Sequence, residues 1–80
     1  MLDSFMLIQV DAGAGAKVRH EISSIQAVRI AHSVTGPYDL VARVQVEDMD
    51  ALGALLSDIQ TIPGVLRTLT CIVKGLGRQP

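Results

Sequence analysis

The sequence predicts an α+β domain with the element order β-α-β-β-α-β, folded as one four-stranded antiparallel sheet with both helices on the same face. Three observations predict it. Two segments alternate apolar and polar residues at the strand period, while two others repeat their apolar residues at helical spacing. A short Gly-Pro turn joins the two alternating segments, which makes them an antiparallel hairpin. The order also repeats: Ile25-Gln26-Ala27-Val28 follows the first helical segment as Ile59-Gln60-Thr61-Ile62 follows the second, and each leads into a strand carrying an arginine. The split βαβ, ferredoxin-like arrangement accommodates this pattern by interleaving two right-handed crossovers.

Phe5 to Val10 is an apolar run broken only by Gln9, as expected of a strand covered on both faces. Asp11 to Gly15 is a Gly-rich loop. Ala14, Val18, Ile22 and Ile25 then recur at helical spacing, with Lys17, Arg19, His20 and Glu21 on the other side, which predicts an amphipathic helix over 14–24. Val28 to Val34 alternates, placing Val28, Ile30, His32 and Val34 on one face and Arg29, Ala31 and Ser33 on the other. Thr35-Gly36-Pro37-Tyr38-Asp39 is a turn. Leu40, Ala42, Val44 and Val46 then oppose Val41, Arg43 and Gln45. Asp48 is placed to cap a second helix and Asp50 to sit in its first turn. Met49, Leu52, Leu55, Leu56 and Ile59 form its apolar stripe, and Ile62-Pro63-Gly64 ends it. In the last strand, Val65, Leu69, Cys71 and Val73 oppose Leu66, Thr68, Thr70 and Ile72. One domain thus covers residues 1–74, and 75–80 reads as a Gly-rich, frayed tail.

The chain has 80 residues, of which 49% are hydrophobic. A domain this short buries only ~60% of the surface its unfolded chain exposes. Cys71 is the only cysteine, so no disulfide framework compensates. Two helices on one side leave the other side of the sheet bare, and the first and last strands offer apolar residues to both faces. Packing two such sheets about 10 Å apart would bury them. The expectation is a homodimer through the sheets, with Arg43 and Gln45 at its rim or in paired positions.

The net charge is −1, the seven basic residues form no run, and Phe5 and Tyr38 are the sole aromatics. That argues against a nucleic-acid surface, which needs a basic stripe or a stacking platform. No apolar run approaches the ~18 residues of a membrane span. The N-terminus lacks the basic segment of a signal peptide, and a lone cysteine suits the reducing cytoplasm.

Residues that could carry chemistry are few. His20 and His32 read as a solvated and a core or interface histidine, because no Cys, Asp or Glu stands at ligand spacing. Cys71, mid-strand among apolar neighbours, reads as a buried thiol. Gly13 and Gly15 lack the third glycine of a dinucleotide loop, since position 18 is Val18. Glu47, Asp48 and Asp50 are helix N-terminal charges. No metal or cofactor is expected. The stretch from Ser33 to Leu40 says most. Tyr38 can meet a ligand with ring and hydroxyl, and Asp39 can accept hydrogen bonds from an ammonium group. The plain alternative is a hairpin turn in which Asp39 caps the backbone and Tyr38 packs at an interface.

The run SVTGPYDLVARV, followed by Ile62-Pro63-Gly64-Val65 and by Thr68 and Thr70 in an apolar strand, resembles the effector-binding (RAM) domain of Lrp/AsnC-type regulators over about residues 3 to 74. The resemblance implies a βαββαβ fold, dimers joined through their sheets as a dimeric α+β barrel, and further assembly into octamers or comparable rings. It implies amino-acid effectors at the contact between dimers. Gly36, Tyr38 and Asp39 match the loop that lines the effector cleft, and Thr68 and Thr70 match last-strand positions that meet the effector's polar groups. Family members carry a helix-turn-helix domain ahead of this one, whereas this chain starts immediately before its first strand. The expectation is therefore a stand-alone sensing domain that does not bind DNA itself, with its output open among modulating full-length Lrp/AsnC relatives by mixed assembly, buffering an amino acid and binding another protein. Two alternatives stand beside it: a small oxygenase or isomerase on the dimeric α+β barrel, using His20 or His32 with Tyr38, and a ligand-free oligomerisation partner.

Overall fold

The structure, a computed structural model, describes residues 1–75. All but the first residue of the expected 75–80 tail lies outside the described residues. The elements are β1 (Leu2–Val10), α1 (Gly15–Ser23), β2 (Val28–Ser33), β3 (Leu40–Val46), α2 (Met49–Gln60) and β4 (Val65–Ile72), in the expected order. They form one antiparallel sheet of strand order β2-β3-β1-β4. Strand β1 begins three residues earlier than its apolar run suggests, because Leu2, Asp3 and Ser4 continue the ladder against Val46, Gln45 and Val44.

One row of each central strand faces the helices. Met6, Ile8 and Val10 of β1 join Leu40, Ala42, Val44 and Val46 of β3, Val18 and Ile22 of α1, and Leu52, Leu55 and Ile59 of α2 in a single buried cluster. Ser4 is wholly buried in the same row, and its hydroxyl donates to the Cys71 carbonyl at 3.2 Å, so the buried hydroxyl is satisfied. Helix α2 starts as expected: Asp48 Oδ1 accepts the Ala51 N–H at 2.9 Å. Its apolar stripe is narrower than expected, because Met49 is exposed.

The internal repeat exists, but in a different alignment from the sequence reading. Ile22 and Ile25 in the first half match Ile59 and Ile62 in the second. Both helices end through the same bonds: the amides of Ser24, Ile25 and Val28 donate to the carbonyls of Glu21, Ile22 and Ile25, and those of Thr61, Ile62 and Val65 to Asp58, Ile59 and Ile62. Even the caps repeat, with the Ser24 and Thr61 hydroxyls donating to the Glu21 and Asp58 carbonyls.

Each half then enters its edge strand through a bulge. Val28 pairs with Val44 but Ile30 pairs with Arg43, which leaves Arg29 extra. Val65 pairs with Val10 but Arg67 pairs with Gln9, which leaves Leu66 extra. An extra residue reverses the side-chain parity beyond it. Two facial assignments from the sequence are corrected by this. Val28 faces the helices while Ile30 and His32 lie on the open face, and Val65 packs on the core while Leu69 and Cys71 do not.

The open face therefore carries Phe5, Leu7, Ile30, Val41, Leu69 and Cys71, around an Arg43–Asp3 ion pair of 3.3 Å. Phe5, Ile30 and Leu69 are each more than two-fifths exposed, at 43%, 45% and 46%. Cys71, expected to be buried, is exposed because no element among the described residues covers its row. The ion pair is half-solvated and adds at most ~1 kcal/mol.

Candidate functional site

The β2–β3 connection is held down by its last residue. Asp39 Oδ2 accepts the Val10 N–H at 2.9 Å. The Asp39 amide donates to the Ile8 carbonyl, and its carbonyl accepts the Val34 N–H, each at 2.9 Å. The β1–β3 ladder ends at Ile8–Leu40, and the carboxylate takes over the next amide that the ladder would have satisfied. Gly36 has φ +150°, and a Cβ there would meet nothing within 4 Å. Gly36 and Pro37 are exposed, while Tyr38 and Asp39 are half-buried. One amide further on, Asp11 donates to the Gly64 carbonyl at 2.8 Å. The β1–α1, β2–β3 and α2–β4 connections thus meet at one end of the sheet.

Thr68 and Thr70 lie on the helix-facing side of β4, opposite Ile8 and Met6. Thr68 Oγ1 accepts from Gln60 Nε2 at 3.1 Å. Thr70 Oγ1 is buried with no hydrogen-bond partner among the described residues. It lies in an apolar groove of about 250 Å³ between α2 and β4, lined by Met49, Leu52, Gly53, Leu56, Thr70 and Ile72.

The five expected residues fall into two groups. Leu40 and Thr68 flank Ile8 from opposite sides, so they are two strand spacings, about 10 Å, apart. Thr70 is two residues further from the loop, which puts it at roughly 15 Å from Asp39. The groove beside Thr70 takes in neither Thr68 nor any of Gly36, Tyr38 and Asp39. The groove itself went unread in the sequence. Its one local signal is Gly53 inside an otherwise strong helix, a placement that costs about 1 kcal/mol relative to alanine and needs a reason.

A second cleft, of about 400 Å³, opens at the opposite end among Ile25, Gln26, Ala27, Arg29, Gln45, Val46, Glu47 and Ala51. Arg29 Nε donates to Gln45 Oε1 across it at 3.1 Å. His20 and His32 are exposed on different elements. Among the described residues no group of three or more His, Cys, Asp or Glu is placed to hold a metal ion. No helix among them is long and apolar enough to cross a membrane.

This βαββαβ architecture, with its loop held at the rim of the sheet, is shared with the ligand-binding domains of transcriptional regulators, which makes this a regulatory ligand-sensing domain. The chain belongs to the Lrp/AsnC ligand binding domain family, whose profile matches residues 3–75. It is 34% identical over 70 residues to HTH-type transcriptional regulator FL11 of Pyrococcus abyssi, covering 88% of this chain and 46% of that protein. The chain thus spans about half the length of such curated relatives. Among solved structures, TTHA0845 from Thermus thermophilus superposes with a TM-score of 0.92 at 31% identity, over 99% of this chain and 100% of that one. The feast or famine regulatory protein Rv3291c from M. tuberculosis, complexed with L-methionine, gives a TM-score of 0.85 at 28% identity, over 99% of this chain and 54% of that one. A homocitrate synthase from Sulfurisphaera tokodaii is 30% identical over 56 residues, only 12% of that enzyme. Among the described residues no two helices follow one another, so the helix-turn-helix of the regulators has no counterpart among them.

Proposed function

We propose that this domain senses an amino acid as an assembled oligomer and passes the signal to transcription without touching DNA itself. The observation that carries this reading is the open sheet face, where Phe5, Ile30 and Leu69 remain exposed beside Leu7 and Val41. A patch of this kind marks an interaction surface. A second copy laid sheet to sheet covers it, and dimers then associate further, octamers being the size expected. The effector lies where chains meet. Gly36, Tyr38 and Asp39 of one chain supply the loop, and Thr68 and Thr70 of a neighbour supply hydroxyls. The separation of about 10 Å or more between these groups within one chain supports a shared site. Asp39 Oδ2 is engaged by the Val10 amide, which leaves the other carboxylate oxygen for the effector's ammonium group. The methionine bound to Rv3291c supports the amino-acid class. Mixed assembly with full-length Lrp/AsnC relatives, in the cytoplasm, is the route to transcription.

The test is a thermal-shift screen of the twenty amino acids on the oligomer, with assembly state followed by light scattering. A ligand at 100 times its Kd stabilises the native state by about 2.7 kcal/mol. A rise in Tm with one or a few amino acids is expected. A stable single chain at micromolar concentration, or no response to any amino acid, removes the proposal.

A further inference from the structure

The fold builds one junction twice. The Gln45 amide donates to the Ala27 carbonyl at 3.0 Å, as the Asp11 amide does to that of Gly64 at 2.8 Å. Each bond ties the end of a central strand to the turn ahead of an edge strand. With Ile22 matched to Ile59, Ala14 corresponds to Ala51, Gly64 to Ala27 and Leu66 to the bulge residue Arg29. In the Gly64 copy the junction is shut: a Cβ there would meet Ala14 Cβ at 3.1 Å and Val18 Cγ2 at 3.2 Å. In the other copy Ala27 carries the Cβ for which the shut junction has no room, and the seam between Ala27 and Ala51 belongs to the cleft of about 400 Å³. Small-molecule pockets begin at about 300 Å³.

The open copy differs in its chemistry too. Arg29 replaces Leu66, Gln26 replaces Pro63, and Glu47 stands on the β3–α2 turn. A bulge re-aims the side chain it carries, and Arg29 lines the cleft with its Nε donating to Gln45 Oε1 at 3.1 Å. That bond fixes one edge of the guanidinium and leaves both Nη groups as donors. The Arg43–Asp3 pair is the one salt bridge among the described residues, so Arg29 and Glu47 line one cleft more than 4.0 Å apart. Ile25, Ala27, Val46 and Ala51 supply its apolar lining.

We infer that this cleft binds a small carboxylate anion that carries a hydrogen-bond donor a few carbons away. The carboxylate meets the Arg29 guanidinium, whose planar fork matches its two oxygens. The donor meets the Glu47 carboxylate, and the short aliphatic stretch between them lies on the four apolar residues. A doubly charged anion is disfavoured because Glu47 repels it, and a simple cation because Arg29 does. The cleft shares no residue with the effector site proposed above. Gln45 pairs with Asp3 near the start of β1, whereas Asp39 holds Val10 at its end, a separation of about 23 Å. Loss of one site therefore leaves the other intact.

The experiment is a titration of the full, assembled chain with γ-hydroxybutyrate at constant ionic strength, followed by heteronuclear NMR of the Arg29 Nε–H and the Gln26 and Gln45 side-chain amides. Saturable shifts of these signals are expected. Butyrate, which lacks the donor, binds about tenfold more weakly. Arg29→Leu, which copies the shut junction's Leu66, abolishes the shifts of Gln26 and Gln45 and leaves the far-ultraviolet spectrum unchanged. Arg29→Lys keeps the charge without the fork and weakens binding about tenfold, and it carries the test if Arg29→Leu fails to fold. In Glu47→Ala, γ-hydroxybutyrate and butyrate bind equally. Shifts that rise linearly without saturation overturn the inference. So do equal affinities of the two acids for the wild type, or wild-type affinity in either Arg29 variant.

Discussion

Replacing Asp39 separates its two roles. Its Oδ2 is the acceptor for the Val10 amide at 2.9 Å, and Val10 is only 8% exposed. Asp39→Ala leaves that amide unpaired at the edge of the core. An unsatisfied buried donor costs about 1–3 kcal/mol, and the half-exposed position of Asp39 admits some water, which favours about 1–2 kcal/mol. For a domain of 60–100 residues each kcal/mol lowers Tm by roughly 4–8 °C. The expected fall is therefore about 4–16 °C. Asp39→Asn keeps a carbonyl oxygen in the same place but exchanges a charge-assisted bond for a neutral one, and is expected to lose about half as much as Asp39→Ala. Circular-dichroism melts at one fixed protein concentration measure both variants, because assembly makes Tm concentration-dependent. The amino acid that raises wild-type Tm is then added. If the carboxylate also meets the effector, Asp39→Asn keeps more of the wild-type Tm than Asp39→Ala yet loses the ligand-induced rise. Equal losses in Asp39→Asn and Asp39→Ala, or no loss in either, refute the assignment of Oδ2 as the loop's anchor.

Three further outcomes are expected. Leu69→Glu places a charge in the centre of the open face opposite Leu7, and sedimentation velocity should show single chains that keep their far-ultraviolet spectrum; an unchanged mass argues against assembly through this face. Gly64→Ala combines φ +101° with Cβ contacts of 3.1 Å to Ala14 and 3.2 Å to Val18, so strain and overpacking together should cost about 2–4 kcal/mol in urea denaturation; a loss below about 1 kcal/mol would contradict the close approach of the α2–β4 turn to α1. Thr70→Val removes the unpartnered hydroxyl and should raise the ligand-free urea midpoint by the equivalent of about 1 kcal/mol at constant slope, whereas a lower midpoint would mean that the hydroxyl has a partner.

The fold was legible because its signals are periodic and local. Leu40 to Val46 alternates without interruption, and Asp48 announces α2 before its apolar stripe begins. What escaped the reading is non-local. The bulges at Arg29 and Leu66 arise where a turn is docked on α1 or α2, and the alternation of Val28 and Ile30 holds no trace of the extra residue. Cys71 was assigned to a buried row by its apolar neighbours, but burial depends on whether an element covers that row. The site was half legible. The composition of Gly36 to Asp39 marks a loop with recognition chemistry, yet only the ladder shows that Asp39 replaces a strand partner for Val10. The groove at Thr70 was not legible, since Leu52, Leu56 and Thr70 come together only when α2 packs against β4.

Two neighbouring amides, those of Val10 and Asp11, are claimed by different parts of the chain: the first by Asp39 and the second by the Gly64 carbonyl. Consecutive peptide planes share one α-carbon and have little slack between them. Pulling on the β2–β3 connection is therefore felt directly where β4 begins. These amides are natural reporters in hydrogen exchange: a molecule gripping the loop should slow both together, while loosening either tether should release its neighbour.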